Sequence, residues 1–141
     1  MKTRLIALIF ITCFSSLAFA EIKYSAGIGA QYGMAPGVKI INTGDVNNYY
    51  LTLSLAGAAV GFDRPLTDSG NTTFGFTAAK IEFLGDMEYF TANISYHASG
   101  YRESGFVIGL DAGVHRTDDF LGFDTEEETE GLVVLSVGYN F

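Results

Sequence analysis

Ser99, His97 and Asp111 are the residues of this chain whose types could together perform covalent chemistry. His97 stands two positions before Ser99, so in an extended strand both side chains share a face. A hydroxyl nucleophile, an imidazole base and a carboxylate that orients the imidazole are the parts a hydrolytic triad requires. A second constellation lies downstream, where Asp118, Asp119, Asp124, Glu126, Glu127, Glu128 and Glu130 crowd into one segment with Phe120 and Phe123. Such oxygens suit Ca²⁺ or Mg²⁺. The run "DTEEETE", however, lacks the spaced ligands and turn glycine of an EF-hand loop, and a solvated acidic loop accounts for it. With 2 histidines and 1 cysteine, no zinc-ligand spacing exists. Gly27, Gly29 and Gly33 miss the dinucleotide fingerprint and open no helix. No cofactor is implied.

The elements that must carry these residues are strands. The end of the chain, "VVLSVGYNF", sets Val133, Leu135, Val137, Tyr139 and Phe141 on one face and Val134, Ser136, Gly138 and Asn140 on the other. "EIKYSAGIGAQYG" alternates Ile22, Tyr24, Ala26, Ile28, Ala30 and Tyr32 against small or polar residues, and "EYFTANISYHA" and "GFVIGLDAGVHR" repeat the period of two. "YYLTLSLAGAAVGF" and "TTFGFTAAKIEFL" fit only if parity shifts, which predicts β-bulges near Leu55–Ala58 and near Ala78–Ala79; a turn at "LAGAA" is the alternative at the first. "GVKII" is a weaker strand. Turn signals fall at 34–37, 42–48, 63–71, 85–87, 99–104 and 117–130, and no helical period of useful length appears.

Residues 1–20, "MKTRLIALIFITCFSSLAFA", combine Lys2 and Arg4, a short apolar run and a closing Ala-Phe-Ala, the form of a cleaved secretory signal. The expectation is a mature domain over 21–141 without cysteine, hence without a disulfide. Loss of Lys2 and Arg4 takes the formal charge from −8 to −10, which excludes nucleic acid as a natural partner. The mean hydropathy of +0.25 is spread along the chain, with no apolar stretch of helical membrane-span length in 21–141.

Apolar-out strands of about 9–11 residues between aromatic belts describe a transmembrane barrel. If both chain ends lie at one level, that level holds Phe62, Phe74, Phe76, Tyr96, Phe106, Tyr139 and Phe141, and the opposite level Tyr32, Tyr49, Tyr50, Phe83, Tyr89 and Phe90. The fold class expected is all-β, a closed antiparallel up-and-down transmembrane β-barrel of eight strands, since closure leaves no edge in hydrocarbon. Its interior would be filled by side chains. The inward polar set is Lys23, Gln31, Lys80, Glu82, Asn93, His97, Asp111, His115 and Asn140, with Lys23 or Lys80 bridging Glu82 or Asp111.

On the signal, the strands across 21–141 and the final Val133, Leu135, Val137, Tyr139 and Phe141, the chain resembles the small outer-membrane β-barrel proteins of Gram-negative bacteria, the OmpX/OmpA-type class. "SYHASGYRESGFVIGL" adds a YfaZ-like flavour that carries no part of the argument. The resemblance implies that the last strand is an assembly signal read by the barrel-assembly machinery. It also implies that outer-membrane lipids and lipopolysaccharide are the surroundings. The function expected is a structural or surface-interaction role without enzymatic activity. The first alternative is a lipid A-modifying hydrolase using Ser99 and His97, with Asp111. "HAS" is similar to the H-x-S element of the lipid A deacylases, although Gly100 and Tyr101 depart from that family's continuation. An inward histidine and a turn serine serve as well. The second alternative is a soluble periplasmic β-barrel or sandwich binding a small ligand.

Overall fold

The computed structural model describes residues 21–83, 86–118 and 128–141. The expected signal, 1–20, lies outside them. Eight strands are present: β1 (Glu21–Ile28), β2 (Gly37–Thr43), β3 (Asn48–Ser54), β4 (Gly57–Pro65), β5 (Thr72–Ile81), β6 (Asp86–His97), β7 (Gly105–Asp118) and β8 (Glu128–Asn140). Each pairs antiparallel with its sequence neighbour, and β8 closes on β1. The fold is an all-β, closed, eight-stranded up-and-down barrel.

The stagger follows from the register. Stepping from Ser25 through Lys39, Thr52, Ala59, Ala79, Tyr89 and His115 reaches Glu130 on β8. Yet the β8 residue facing Ser25 is Asn140, ten positions further on. That displacement tilts the strands against the barrel axis and fixes a narrow interior. The near rim carries Glu21, Phe141 and the connections 44–47, 66–71 and 98–104; the far rim carries 29–36, 55–56 and the ends of β5 and β7.

Alternation decides what faces where. Val133, Leu135, Val137 and Tyr139 of β8, and Phe106, Ile108, Leu110 and Val114 of β7, are exposed on the outer wall, while Ser136, Asn140 and Asp111 are buried inside. The same inversion holds on β6, where Phe90, Ile94 and Tyr96 are exposed and Thr91, Asn93, Ser95 and His97 buried. The largest apolar side chains thus lie on the outside of the sheet and the hydroxyls and amides inside.

Three expectations are corrected. First, "LAGAA" is a turn: Ser54 Oγ accepts from the backbone N–H groups of Ala56 and Gly57, at 3.2 and 3.0 Å, so β3 and β4 form a hairpin and no bulge is needed. Second, β5 runs without a bulge in unbroken register on both flanks, so parity never shifts at Ala78–Ala79. Ile81 therefore faces inward against Ala30 and Tyr89, and Lys80 faces outward. Third, the first strand ends at Ile28, because Gly29 (φ 119°) turns the chain into the interior, where Ala30, Gln31 and Tyr32 form a buried 3-10 turn. Only glycine adopts that conformation without strain.

The second aromatic belt dissolves for the same reasons. Tyr32, Tyr50 and Tyr89 are interior residues, and Tyr49 lies at the near rim, its ring 6.4 Å from Phe62. Phe83 and Phe90 alone keep an exposed place away from that rim. The first belt stands as an outer girdle, joined by Phe106–Tyr139 and Tyr139–Phe141 edge contacts at 5.2 and 5.5 Å. Tyr24 and Tyr49 extend it around β1 and β3.

Candidate functional site

The barrel interior collects the chain's buried polar chemistry, and Lys39 lies at its centre. Val38 and Ile40 face outward on β2, which turns Lys39 inward, where it is 3 % exposed. Its ammonium donates to Gln31 Oε1 at 2.8 Å and lies 4.7 and 4.3 Å from the ring centres of Tyr32 and Tyr50. Two aromatic faces and an amide oxygen replace the water a buried ammonium would otherwise lose.

Gln31 ties this cation to three further strands. Its Nε2 donates to Ser95 Oγ at 2.8 Å, its backbone N–H to Ser136 Oγ at 3.4 Å, and its carbonyl accepts from Thr52 Oγ1 at 2.9 Å. Ser136 Oγ donates onward to Asp111 Oδ2 at 2.6 Å. On the adjoining strands, Asn93 Nδ2 donates to Thr77 Oγ1 at 3.1 Å, and Thr77 Oγ1 meets the Tyr50 hydroxyl at 2.5 Å.

Bulky tyrosines fit because glycines face them. A Cβ at Gly138 or Gly27 would strike the Tyr32 ring or hydroxyl, and a Cβ at Gly61 would strike the Tyr50 hydroxyl. The Tyr32 hydroxyl is held by Ser25 Oγ at 2.8 Å, and Tyr89 donates to the carbonyl of Ala30. These contacts pin the 3-10 turn across the far end of the interior.

The near end is covered by the 98–104 connection. Tyr101 folds inward to 4 % exposure and meets the His97 ring edge-on at 4.9 Å. Burial raises its phenol far above the ordinary tyrosine range. Lys23 Nζ donates to the carbonyl of Arg102, which straps this connection to β1.

The triad residues are not assembled. The His97 ring is engaged on both nitrogens, Nε2 with Thr73 Oγ1 at 3.2 Å and Nδ1 with Asn140 Nδ2 at 3.3 Å. Ser99 is exposed beyond the strand end, and Asp111 faces Asn93, four residues along β6 from His97. The imidazole has no bond to either partner it would need.

Of the expected inward set, Gln31, Asn93, His97, Asp111 and Asn140 are buried inside. Lys80 and Glu82 are not: they pair at 3.4 Å with side chains 51 % and 70 % exposed, because the unbroken parity of β5 turns Lys80 outward and Glu82 lies past the strand. Lys23 bridges neither Glu82 nor Asp111; its acidic neighbour is Glu21 at 3.9 Å. His115 is half-buried beside Glu130 at 3.8 Å. Most of the acidic constellation, from Asp119 to Glu127, lies outside the described residues, as do the side chains of Asp118 and Glu128. Among the described residues no three His, Cys, Asp or Glu side chains converge as metal ligands. Val133, Leu135, Val137, Tyr139 and Phe141 form one exposed outward row.

Lys39, Tyr32, Tyr50, Tyr89 and Tyr101 are interior residues that sequence reasoning did not select. The signal for Lys39 is a lone cation between Val38 and Ile40 in the short strand "GVKII".

Comparison of the chain with protein-family models, curated proteins and solved structures finds no match.

Proposed function

We propose that this chain is an outer-membrane β-barrel with a structural or surface-interaction role and an interior filled by its own side chains. The observation that carries the reading is the inversion of the sheet: leucine, isoleucine, valine and phenylalanine cover the outer wall of a closed barrel, and hydroxyls, amides, the Asp63 and Asp111 carboxylates and Lys39 are buried inside it. In water, that wall would be a large exposed apolar surface of the kind monomeric proteins avoid. In a bilayer it matches the surroundings, and closure satisfies every strand edge. The outward apolar positions of β7, from Phe106 to Val114, reach about 20 Å along the axis at the usual rise and tilt, close to the height of a barrel's lipid-facing band.

The role is static because Lys39, Gln31 and the tyrosines occupy the interior, and Tyr101 and the 3-10 turn cover its ends. Lipids and lipopolysaccharide are the surroundings proposed, and the terminal row ending at Phe141 is the proposed signal to the barrel-assembly machinery. The test is fractionation of cells that express the full chain or a Phe141-deleted form, with unheated and heated samples compared on a denaturing gel. Heat-modifiable migration in the outer-membrane fraction, weakened by the deletion, is expected. Soluble material indifferent to the deletion would overturn the reading.

A further inference from the structure

The outer wall is not uniform. Between β4, β5 and β6 lies an apolar groove of about 310 Å³ lined by Val60, Gly61, Phe62, Phe76, Ala78 and Phe90. Its relief comes from unequal outward side chains. Gly61 faces inward, where a Cβ would strike the Tyr50 hydroxyl, and so presents only its backbone to the outside. Val60 and Ala78 are short. Phe62, Phe76 and Phe90 stand higher around them, with Phe76 stacked on Phe90 at 5.7 Å and 15° and tilted against Phe62 at 5.5 Å.

Arg64 lies two residues beyond Phe62 on the same outward face of β4, at the level of the aromatic girdle. It is exposed and makes no ion pair with a described residue. Among the described strand residues it is the one outward-facing cation at the near rim, since Lys23 and Lys39 point inward and Lys80 and Arg116 lie towards the far rim.

We propose that this face holds one anionic phospholipid of the surrounding bilayer, with an acyl chain along the groove and the phosphate on Arg64. The inference rests on the outer-membrane reading above. An arginine beside an apolar slot offers the two recognition elements such a lipid needs: a fork that matches phosphate oxygens, and a dry surface for methylenes. The groove's volume is at the small end for a ligand site, suited to a chain rather than a folded partner. A second copy fits less well. An isologous contact centred here would bring two Arg64 side chains onto one patch.

The experiment is native mass spectrometry of the full chain, folded in detergent after equilibration with vesicles of phosphatidylglycerol or of phosphatidylcholine. The wild type should retain one phosphatidylglycerol per barrel and several-fold less phosphatidylcholine. Arg64→Gln should remove that preference, and Ala78→Trp, which fills the groove from the outside, should remove retention of both lipids while heat-modifiable migration persists. A folded barrel that retains no lipid, or retains it equally in both variants, overturns this inference and leaves the barrel reading standing. So does a dimer that Ala78→Trp dissociates. A wild type that stays soluble without detergent overturns both readings.

Discussion

At the scale of single residues, the interior is governed by complementarity between tyrosines and the glycines that admit them. Gly138→Ala places a methyl group against the Tyr32 hydroxyl. We expect a loss of about 1–3 kcal/mol in urea unfolding from lipid vesicles, the usual cost of overpacking, with part recovered by Tyr32→Leu. Lys39 offers a second test. Lys39→Met removes a charged hydrogen bond and two aromatic contacts and leaves Gln31 Oε1 without its donor. A loss of about 2–4 kcal/mol should follow in the same assay. Lys23→Met, at a partly exposed strap, should cost about 1 kcal/mol or less. Asn93, His97, Asp111 and Asn140 were legible as interior residues because each takes the polar place in a clean period of two. The tyrosines were not, since an amphipathic ring suits either a membrane interface or a tight interior with a hydroxyl partner. Alternation put Tyr32 on the outer face, and the belt reading drew Tyr50 and Tyr89 to the interface although their parity, opposite Tyr49 and Phe90, is the inward one.

At the scale of elements, the strand positions were legible wherever period two ran clean, as in β6, β7 and β8. Errors fell where small residues blurred the period. "LAGAA" and "TAAK" both invited a bulge, and they differ in that Ser54 can close a hairpin around Gly57, whereas nothing at Ala78–Ala79 gives the backbone a reason to leave its register. The 3-10 turn was hidden because Gly29 preserves the alternation on paper while reversing it in space. Gly29→Val tests this element. With φ at 119° and Ser136 in contact, valine should strain the turn by about 1–3 kcal/mol and loosen the far end of the interior. Faster amide exchange at Gln31 and Tyr32, with β6 and β7 unchanged, is the expected signature. The triad failed at this scale too: His97 and Ser99 share an alternation, but the strand ends between them, so the shared face predicted for an extended strand is lost.

At the scale of the molecule, barrel closure and strand number were legible from class rules, because a sheet with one continuous oily face and many short strands has few ways to avoid an edge. The environment is where fold and function separate, and one substitution addresses it. Leu135→Arg sits mid-wall on β8, 61 % exposed. In vesicles it should cost about 2–4 kcal/mol, as a cation does at the bilayer midplane. In a water-soluble barrel an exposed leucine-to-arginine change should be within about 0.5 kcal/mol of neutral.

The ladders around the barrel are unequal. The β7–β8 pairing runs from Gly105 opposite Asn140 to Thr117 opposite Glu128, whereas the β8–β1 pairing that completes the circle extends only from Ser25 opposite Asn140 to Ile28 opposite Val137. This makes the junction of first and last strands a seam, held by few backbone bonds and by the Tyr32 ring lodged over Gly27 and Gly138. Local opening begins where hydrogen bonds are fewest. The long hairpins of the C-terminal half can form from sequence-local contacts, while the seam must join strands from opposite ends of the chain. Deuterium should therefore enter first along this line, and the same line should be the last to zip shut during folding, so that the barrel is finished, and first undone, at one place.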